Sequence, residues 1–410
     1  MDLQRSTERI QECLEKISLF TATPGEGTTR LPFSKEARQT AEYLKTTMGH
    51  IGLETREDAA GNIIGRLAGR NPSDPVVIIA SHFDSVKFGG GFDGIAGVAV
   101  GVEVVRLLRD RGLILRHPLE VIATNDEEGV RYGGGYFGTK AMLGEISAEY
   151  LQTNRDADGM TVGEAMRAYG LDPDRIGEAR REAAHVAAFI EAHIEQGPVL
   201  DTGGWDIGLV EDIVGIKRFM VTVTGRADHA GATPMPMRLD ALAGAARVVC
   251  ALREWAAAEG EGTVATVGFM RVEPGAVNVV PREACFSVDI RSRSPETLEG
   301  LTGRLEAELR LINTTGLRCQ SEKKLDVQPA AMNRALMAQL AQSCDDLGFS
   351  SLRLSSGAGH DALQVAPHMP AAMLFVPSRG GRSHCPEEWT DYVHLARAAH
   401  VLCDTVQKLF

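Results

Sequence analysis

The sequence has no stretch long enough to cross a membrane, no paired-cysteine motif and no dense run of basic residues. Its longest apolar runs, such as 76–80, are strand-sized, far below the roughly 18 residues a span needs. The opening Met1-Asp2-Leu3-Gln4-Arg5 is polar where a signal peptide would be apolar. Leu3, Ile10, Leu14, Ile17, Leu19 and Phe20 recur instead at the spacing of an amphipathic helix. The seven cysteines are scattered and never fall as CxxC, so they read as reduced thiols of a cytoplasmic protein. Cys385 reads the same way, although it follows a histidine. The densest basic runs are the pairs Arg180-Arg181 and Lys323-Lys324, and the formal net charge is −12. That balance excludes a phosphate-backbone binder. Neither nucleic acid nor membrane is an expected partner.

A chain of 410 residues is long enough for two domains, each with its own core. In the first half, strand and helix signals alternate. Residues 75–80 form an apolar run bounded by Pro75 and Ser81-His82, 94–111 is apolar at helical spacing, and 119–124 is the next strand. This alternation predicts an α/β layer with helices packed on a sheet. From about Ile213 the pattern changes to strand 219–224, helix 240–258, strands 263–270 and 285–290, and helix 295–311. The block reads as a smaller α+β domain inserted into the first, with strand 219–224 as a candidate edge. After about Leu325 the earlier pattern returns. The expected organisation is a catalytic domain built from residues 1–212 and 327–410, with residues 213–326 inserted between them. An inserted domain is a natural lid, and small ligands favour clefts between domains.

Acids and imidazoles cluster where the predicted strands end. The first strand runs into Ser81-His82-Phe83-Asp84, the Gly89-Gly90-Gly91 run leads to Asp93 at a helix start, and the second strand runs into Asn125-Asp126-Glu127-Glu128. Strand carboxyl ends are the ligand-binding edge of open α/β sheets. Hydrolases hold divalent metals with His nitrogen and carboxylate oxygen, and Asp84, two residues past His82, is placed to orient that ring. Glu127 and Glu128, if buried side by side, require a cation. One of the pair suits a ligand and the other a general base. His193 and His384 each add an imidazole.

The stretches SHFDSVKFGGGFDGIAGVAVGVEVV, NDEEGVRYGGGYFGTKAML, EAHIEQGPVLD, GRADHAGATPM, DIRSRSPE, SGAGHDA and VPSRGGRSHCPEEW together resemble the M20 metallo-amidases. The branch they match contains N-carbamoyl-L-amino acid hydrolases, β-ureidopropionases and allantoate amidohydrolases. The family usually has Thr where this chain has Ser85. The resemblance implies a di-metal α/β catalytic domain with an inserted lid and dimerisation domain. It implies two divalent ions, zinc, manganese, cobalt or nickel. His82 and His193 would hold one ion, Glu128 and His384 the other, and Asp93 would bridge them ahead of a cis peptide to Gly94. Glu127 would be the general base, with Asp84 orienting His82. His229 would bind substrate and stabilise the oxyanion. Gln196, Asn278, Arg291, Gly359 and His360 would contact the ureido and carboxylate groups of a small substrate. The implied reaction is hydrolysis of the ureido C–N bond of an N-carbamoyl-L-amino acid or of allantoate, by a homodimer paired through the lid. A dipeptidase, an aminoacylase and a non-catalytic binding relative are the competing classes.

Overall fold

Val76–His82 is buried at every position, as its apolar run predicts, and has a parallel neighbour on each side. The computed structural model describes residues 2–260 and 262–409. Leu119–Thr124, Val76–His82, Val186–Ile194 and Ala371–Val376 lie side by side and all parallel. Ile63–Leu67 joins the first of these antiparallel and Ile207–Ile213 joins the last antiparallel. All four parallel strands are buried along nearly their whole length, as expected of a parallel sheet covered on both faces. By contacts the chain divides into two units, Met1–Glu211 with Ala331–Phe410, and Asp212–Ala330.

The helix Ile95–Asp110 packs on the sheet with its first eleven residues buried, among them Val98, Val100, Val102, Val104 and Val105. Each buried valine contributes about 1.5–3 kcal/mol relative to exposure. Gly97 makes the close approach possible: a Cβ there would lie 1.9 Å from the Ala192 carbonyl oxygen and 2.7 Å from Ser81 Cβ. The helix therefore begins directly beside the strand ends that carry His82 and His193.

The second unit is an antiparallel sheet in the order Arg318–Val327, Gly215–Thr224, Glu283–Ser292, Thr263–Thr266 among the described residues, with Met270–Glu273 also on Glu283–Ser292. Helices Ala241–Glu259 and Pro295–Asn313 cover it through a core that includes Phe219, Val221, Phe286, Val288, Leu298 and Leu305. The strand around 219–224, expected as a candidate edge, is interior and hydrogen-bonded on both flanks. Its alternation reports one buried face and is silent about neighbours. The flanking strand Arg318–Val327 gives no strand signal in the sequence because it is mostly exposed and charged, with Glu322, Lys323 and Lys324 at its centre. Such charge is usual on an edge strand.

Gly97→Ala should lower stability by about 1–3 kcal/mol or more, since the added methyl meets backbone rather than a movable side chain. Urea unfolding should show a lower midpoint at an unchanged slope. An unaltered midpoint would mean that the helix does not press on the sheet at this point.

Candidate metal centre

His82 ends its strand buried, with Nδ1 donating to the Asp84 backbone carbonyl at 3.2 Å and lying 3.5 Å from Asp84 Oδ1. Asp84 is fully buried and does more than orient that ring. Its Oδ1 accepts the Glu127 N–H at 3.0 Å and its Oδ2 the Glu128 N–H at 3.2 Å. One carboxylate thus fixes the first imidazole against the loop carrying both glutamates. Backbone bonds from Tyr136 and Phe137 to the carbonyls of Glu127 and Asp126 pin the same loop from outside.

Beneath Asp84 lies Arg30, fully buried, donating from Nε to the Phe83 carbonyl and from its backbone N–H to Ser85 Oγ at 2.9 Å. Burial pushes its guanidinium down to about 10, opposed by the charge of Asp84. Nothing in the spacing of the sequence marks Arg30, because its partners Phe83 and Ser85 are more than fifty residues away.

Asp93 sits at the centre of the site. Its Oδ1 is 3.2 Å from His193 Nε2 and 3.7 Å from His82 Nε2, and its Oδ2 is 3.0 Å from His384 Nε2. The chain turns from Asp93 into the helix through Gly94 at φ 66°. The cis bond expected at Asp93-Gly94 is absent; among the described residues the cis bond is Glu273–Pro274. The left-handed glycine makes the turn instead, and a Cβ on it would strike the His82 ring at 2.4 Å.

Two donor groups result, His82–Asp93–His193 and Asp93–Glu128–His384, and they share Asp93. Glu127 joins His82 and Glu128 in a third grouping, with Oε2 4.0 Å from His82 Nε2. The residues fit metal ions on two grounds. His193 Nδ1 donates to the Ile194 carbonyl at 2.9 Å. With Nδ1 of both rings committed to carbonyls, the two Nε2 atoms face each other at 3.3 Å. Two bare lone pairs at that distance need a cation between them. Glu128 Oε1 is likewise buried without a hydrogen-bond partner, 3.5 Å from His384 Nε2.

The surroundings favour protons on several of these groups. Burial, followed by the charge of Asp93, pushes the Glu128 carboxyl up to about 8. Burial also raises Glu127 well above the usual carboxylate range, against the opposing pull of His82. On His82 burial disfavours charge, yet the hydrogen bond to Asp84 and the charges of Glu127, Asp84 and Asp93 prevail and raise it well above normal. His384 is raised to about 9, first by its hydrogen bond to Asp93.

The remaining expected residues fall in three places. Gln196, at φ 59°, donates from Nε2 to both Asp93 oxygens at 3.2 and 3.1 Å. His360 is buried behind His193, with ring centroids 4.6 Å apart and Nε2 2.8 Å from Ser356 Oγ. Gly359 abuts the Tyr136 phenol, where a Cβ would lie 1.9 Å from the hydroxyl. His229, Asn278 and Arg291 belong to the second unit. Nδ1 of exposed His229 accepts the N–H groups of Gly231 and Ala232 at 3.0 and 3.1 Å, so a neutral ring carries its hydrogen on Nε2. The Asn278 carbonyl accepts the Ala230 N–H at 3.0 Å, and Arg291 Nε donates to Asp289 Oδ1 at 2.9 Å.

Residues 78–408 match peptidase family M20/M25/M40. The chain belongs to that family. Relatives in this M20 group include the N-carbamoyl-L-amino-acid amidohydrolase of Paenarthrobacter aurescens, 40% identical over 411 residues with all of both chains covered. The allantoate amidohydrolase of Bacillus subtilis is 35% identical, with 98% of this chain and 97% of that protein covered. The solved structure of a hydantoinase/carbamoylase family amidase from Burkholderia multivorans superposes with a TM-score of 0.89 at 33% identity, covering 98% of this chain and 97% of that one. The M20 chain is thus a hydrolase of carbon–nitrogen bonds other than peptide bonds, in a family that depends on metal.

Metal uptake should release protons, because the raised groups must shed them to become ligands. His384, raised to about 9, is protonated at neutral pH, so apparent metal affinity should fall as pH drops below 9, by about tenfold per unit for each proton displaced. Calorimetric titration of chelated protein in buffers of different ionisation enthalpy counts those protons. Metal binding with no proton release would contradict this charge state.

Proposed function

We propose that the chain hydrolyses the ureido C–N bond of an N-carbamoyl-L-amino acid, giving the amino acid, ammonia and carbon dioxide. The observation that carries this reading is the 40% identity, across the whole of both chains, to a protein named for that reaction. The two donor groups sharing Asp93 support two divalent ions per chain, zinc, manganese, cobalt or nickel. His82 and His193 would hold one, Glu128 and His384 the other, with Asp93 between them. When bound, such ions supply Lewis acidity, lowering the pKa of a water and polarising a carbonyl.

The protein's own groups do the rest. Glu127, held by the Asp84 clamp, takes the proton of the attacking water at its carboxylate and returns it to the departing nitrogen. The His229 Nε2–H donates to the oxyanion that forms as water adds to the ureido carbonyl. Asn278 and the planar fork of Arg291 hold the substrate carboxylate. Gln196, Gly359 and His360 complete the pocket around the ureido group. The seven cysteines, all unpaired, support a reducing cytoplasmic setting.

A second reading, allantoate amidohydrolase, is supported by the Bacillus subtilis relative. Both substrates join a carboxylate to a ureido group. A panel of N-carbamoyl amino acids, β-ureidopropionate, allantoate, N-acetyl amino acids and dipeptides separates them. N-carbamoyl-L-amino acids should give the highest kcat/KM, and their methyl esters should be poor. Allantoate turned over faster would move the assignment, and acyl or peptide substrates leading would end it. Glu127→Gln should keep its metal and lose on the order of 100-fold or more in kcat, whereas Glu128→Gln should weaken metal binding. Metal loss in Glu127→Gln, with the rate restored on reconstitution, would exchange the two roles.

The inserted unit would pair two chains about a two-fold axis, with His229 serving the partner's site. Mixing Glu127→Gln and His229→Ala subunits, each inactive alone, should then restore part of the activity. No recovery, with exchange shown by a mass-tagged subunit, would place His229 in its own chain's site.

A further inference from the structure

Glu388 follows His384 by four residues and looks, in sequence, like an exposed loop acid beside Glu387. It is 3% exposed. Its Oε1 accepts the N–H of Phe92 and the N–H of Asp93, both at 3.0 Å, and its Oε2 accepts the Ser383 hydroxyl at 2.6 Å. One carboxylate thus joins two loops nearly 300 residues apart in sequence. Each loop carries a member of the Asp93–Glu128–His384 group.

The surroundings are shaped for this carboxylate. Gly90 passes so close that a Cβ would lie 2.2 Å from Glu388 Oε1 and 2.3 Å from its Cβ, so the middle glycine of the triple run makes room for the clamp. The Phe92 and Trp389 rings meet edge to face at 5.2 Å beside it. His384 itself sits at φ 56°, a conformation that a non-glycine residue keeps only when its neighbours over-determine it. Removing the clamp frees that loop to relax away from Asp93.

We infer that Glu388 is a positioning residue whose hydrogen bonds set the separation of Asp93 from His384, and so the affinity of the ion site formed with Glu128. This rests on the two-ion reading above. The clamp needs acceptors for two backbone N–H groups and one link to Ser383. A glutamine supplies both, its carbonyl oxygen accepting the pair and its amide N–H donating to Ser383 Oγ.

The test is titration of the chelated full-length protein with Co²⁺, followed by calorimetry and by the visible absorption of bound Co²⁺. The parent chain should bind two ions, and His384→Ala identifies the step belonging to the Glu128–His384 site. Glu388→Ala should weaken that step by on the order of 10- to 100-fold and leave the other within a few-fold. Gly90→Ala should do the same by displacing the side chain without altering it, and Glu388→Gln should restore both steps. If Glu388→Ala does not fold, Gly90→Ala and Glu388→Gln carry the comparison. Two unaltered steps in the alanine variants would overturn the inference alone. So would equal weakening of both steps, or a glutamine variant as impaired as the alanine. A parent chain binding fewer than two ions would overturn the two-ion reading, and this inference with it.

Discussion

Two imidazole nitrogens 3.3 Å apart, His82 Nε2 and His193 Nε2, cannot face each other in a neutral protein without something positive between them. Around them Asp84, Asp93, Glu127 and Glu128 bring four acids into the same poorly hydrated space. Burying uncompensated charge costs several kcal/mol per group, so the fold tolerates this arrangement only with cations added. Burial pushes Glu127 and Glu128 toward the protonated form, and the hydrogen bonds and charges of the neighbouring acids push His82 and His384 the same way against burial.

Those hydrogen bonds show how the chain keeps such a cluster rigid. Asp84 and Glu388 do the same job for different loops. Each is a buried carboxylate accepting two backbone N–H groups, from Glu127 and Glu128 in one case and from Phe92 and Asp93 in the other. Each therefore fixes a ligand-bearing loop through its main chain and leaves the side chains of that loop to the metal. The glycines serve the same end. Gly94 clears the His82 ring, Gly90 clears Glu388, and Gly97 lets the helix after Asp93 touch the strand that ends near His193.

The α/β layer is legible in the sequence because its parallel strands are continuous apolar runs, and residues 119–124 form the strand that their composition predicts. The cluster of acids and imidazoles is legible for a related reason. Once 76–80 is a strand, His82 and Asp84 must lie at its carboxyl end, and the same holds for Glu127 and Glu128 after 119–124. Glu388 and Arg30 are illegible because much of what they hold is backbone far off in sequence, Phe92 and Asp93 in one case and Phe83 in the other, which no side-chain pattern reveals. The edge strand Arg318–Val327 is hidden for the opposite reason: residues 320–324 at its centre are all polar, so it carries no sustained hydrophobic period to detect. The expected cis bond at Asp93 fails because it rests on family resemblance alone, while the local chemistry offers glycine a trans turn.

A deeper layer under the site extends the same logic. Glu191 lies on the strand of His193, two residues earlier and hence on the same face. It is fully buried and accepts the Ala362 N–H at 2.7 Å. Burial, then the charge of Asp361, raises its carboxyl well above the usual range. Asp361 is raised as well by burial, but the hydroxyls of Thr124 and Thr139 donate to it and partly offset the rise. Burial thus raises both acids, and hydrogen-bond donors oppose the rise at each. Two acids in one buried patch are thus kept distinct by their donors. Asp361 is met by two side-chain hydroxyls and Glu191 by backbone N–H, with one Glu191 oxygen left without a partner. Neither acid belongs to the two donor groups that share Asp93, whose carboxylates are those of Asp93 and Glu128.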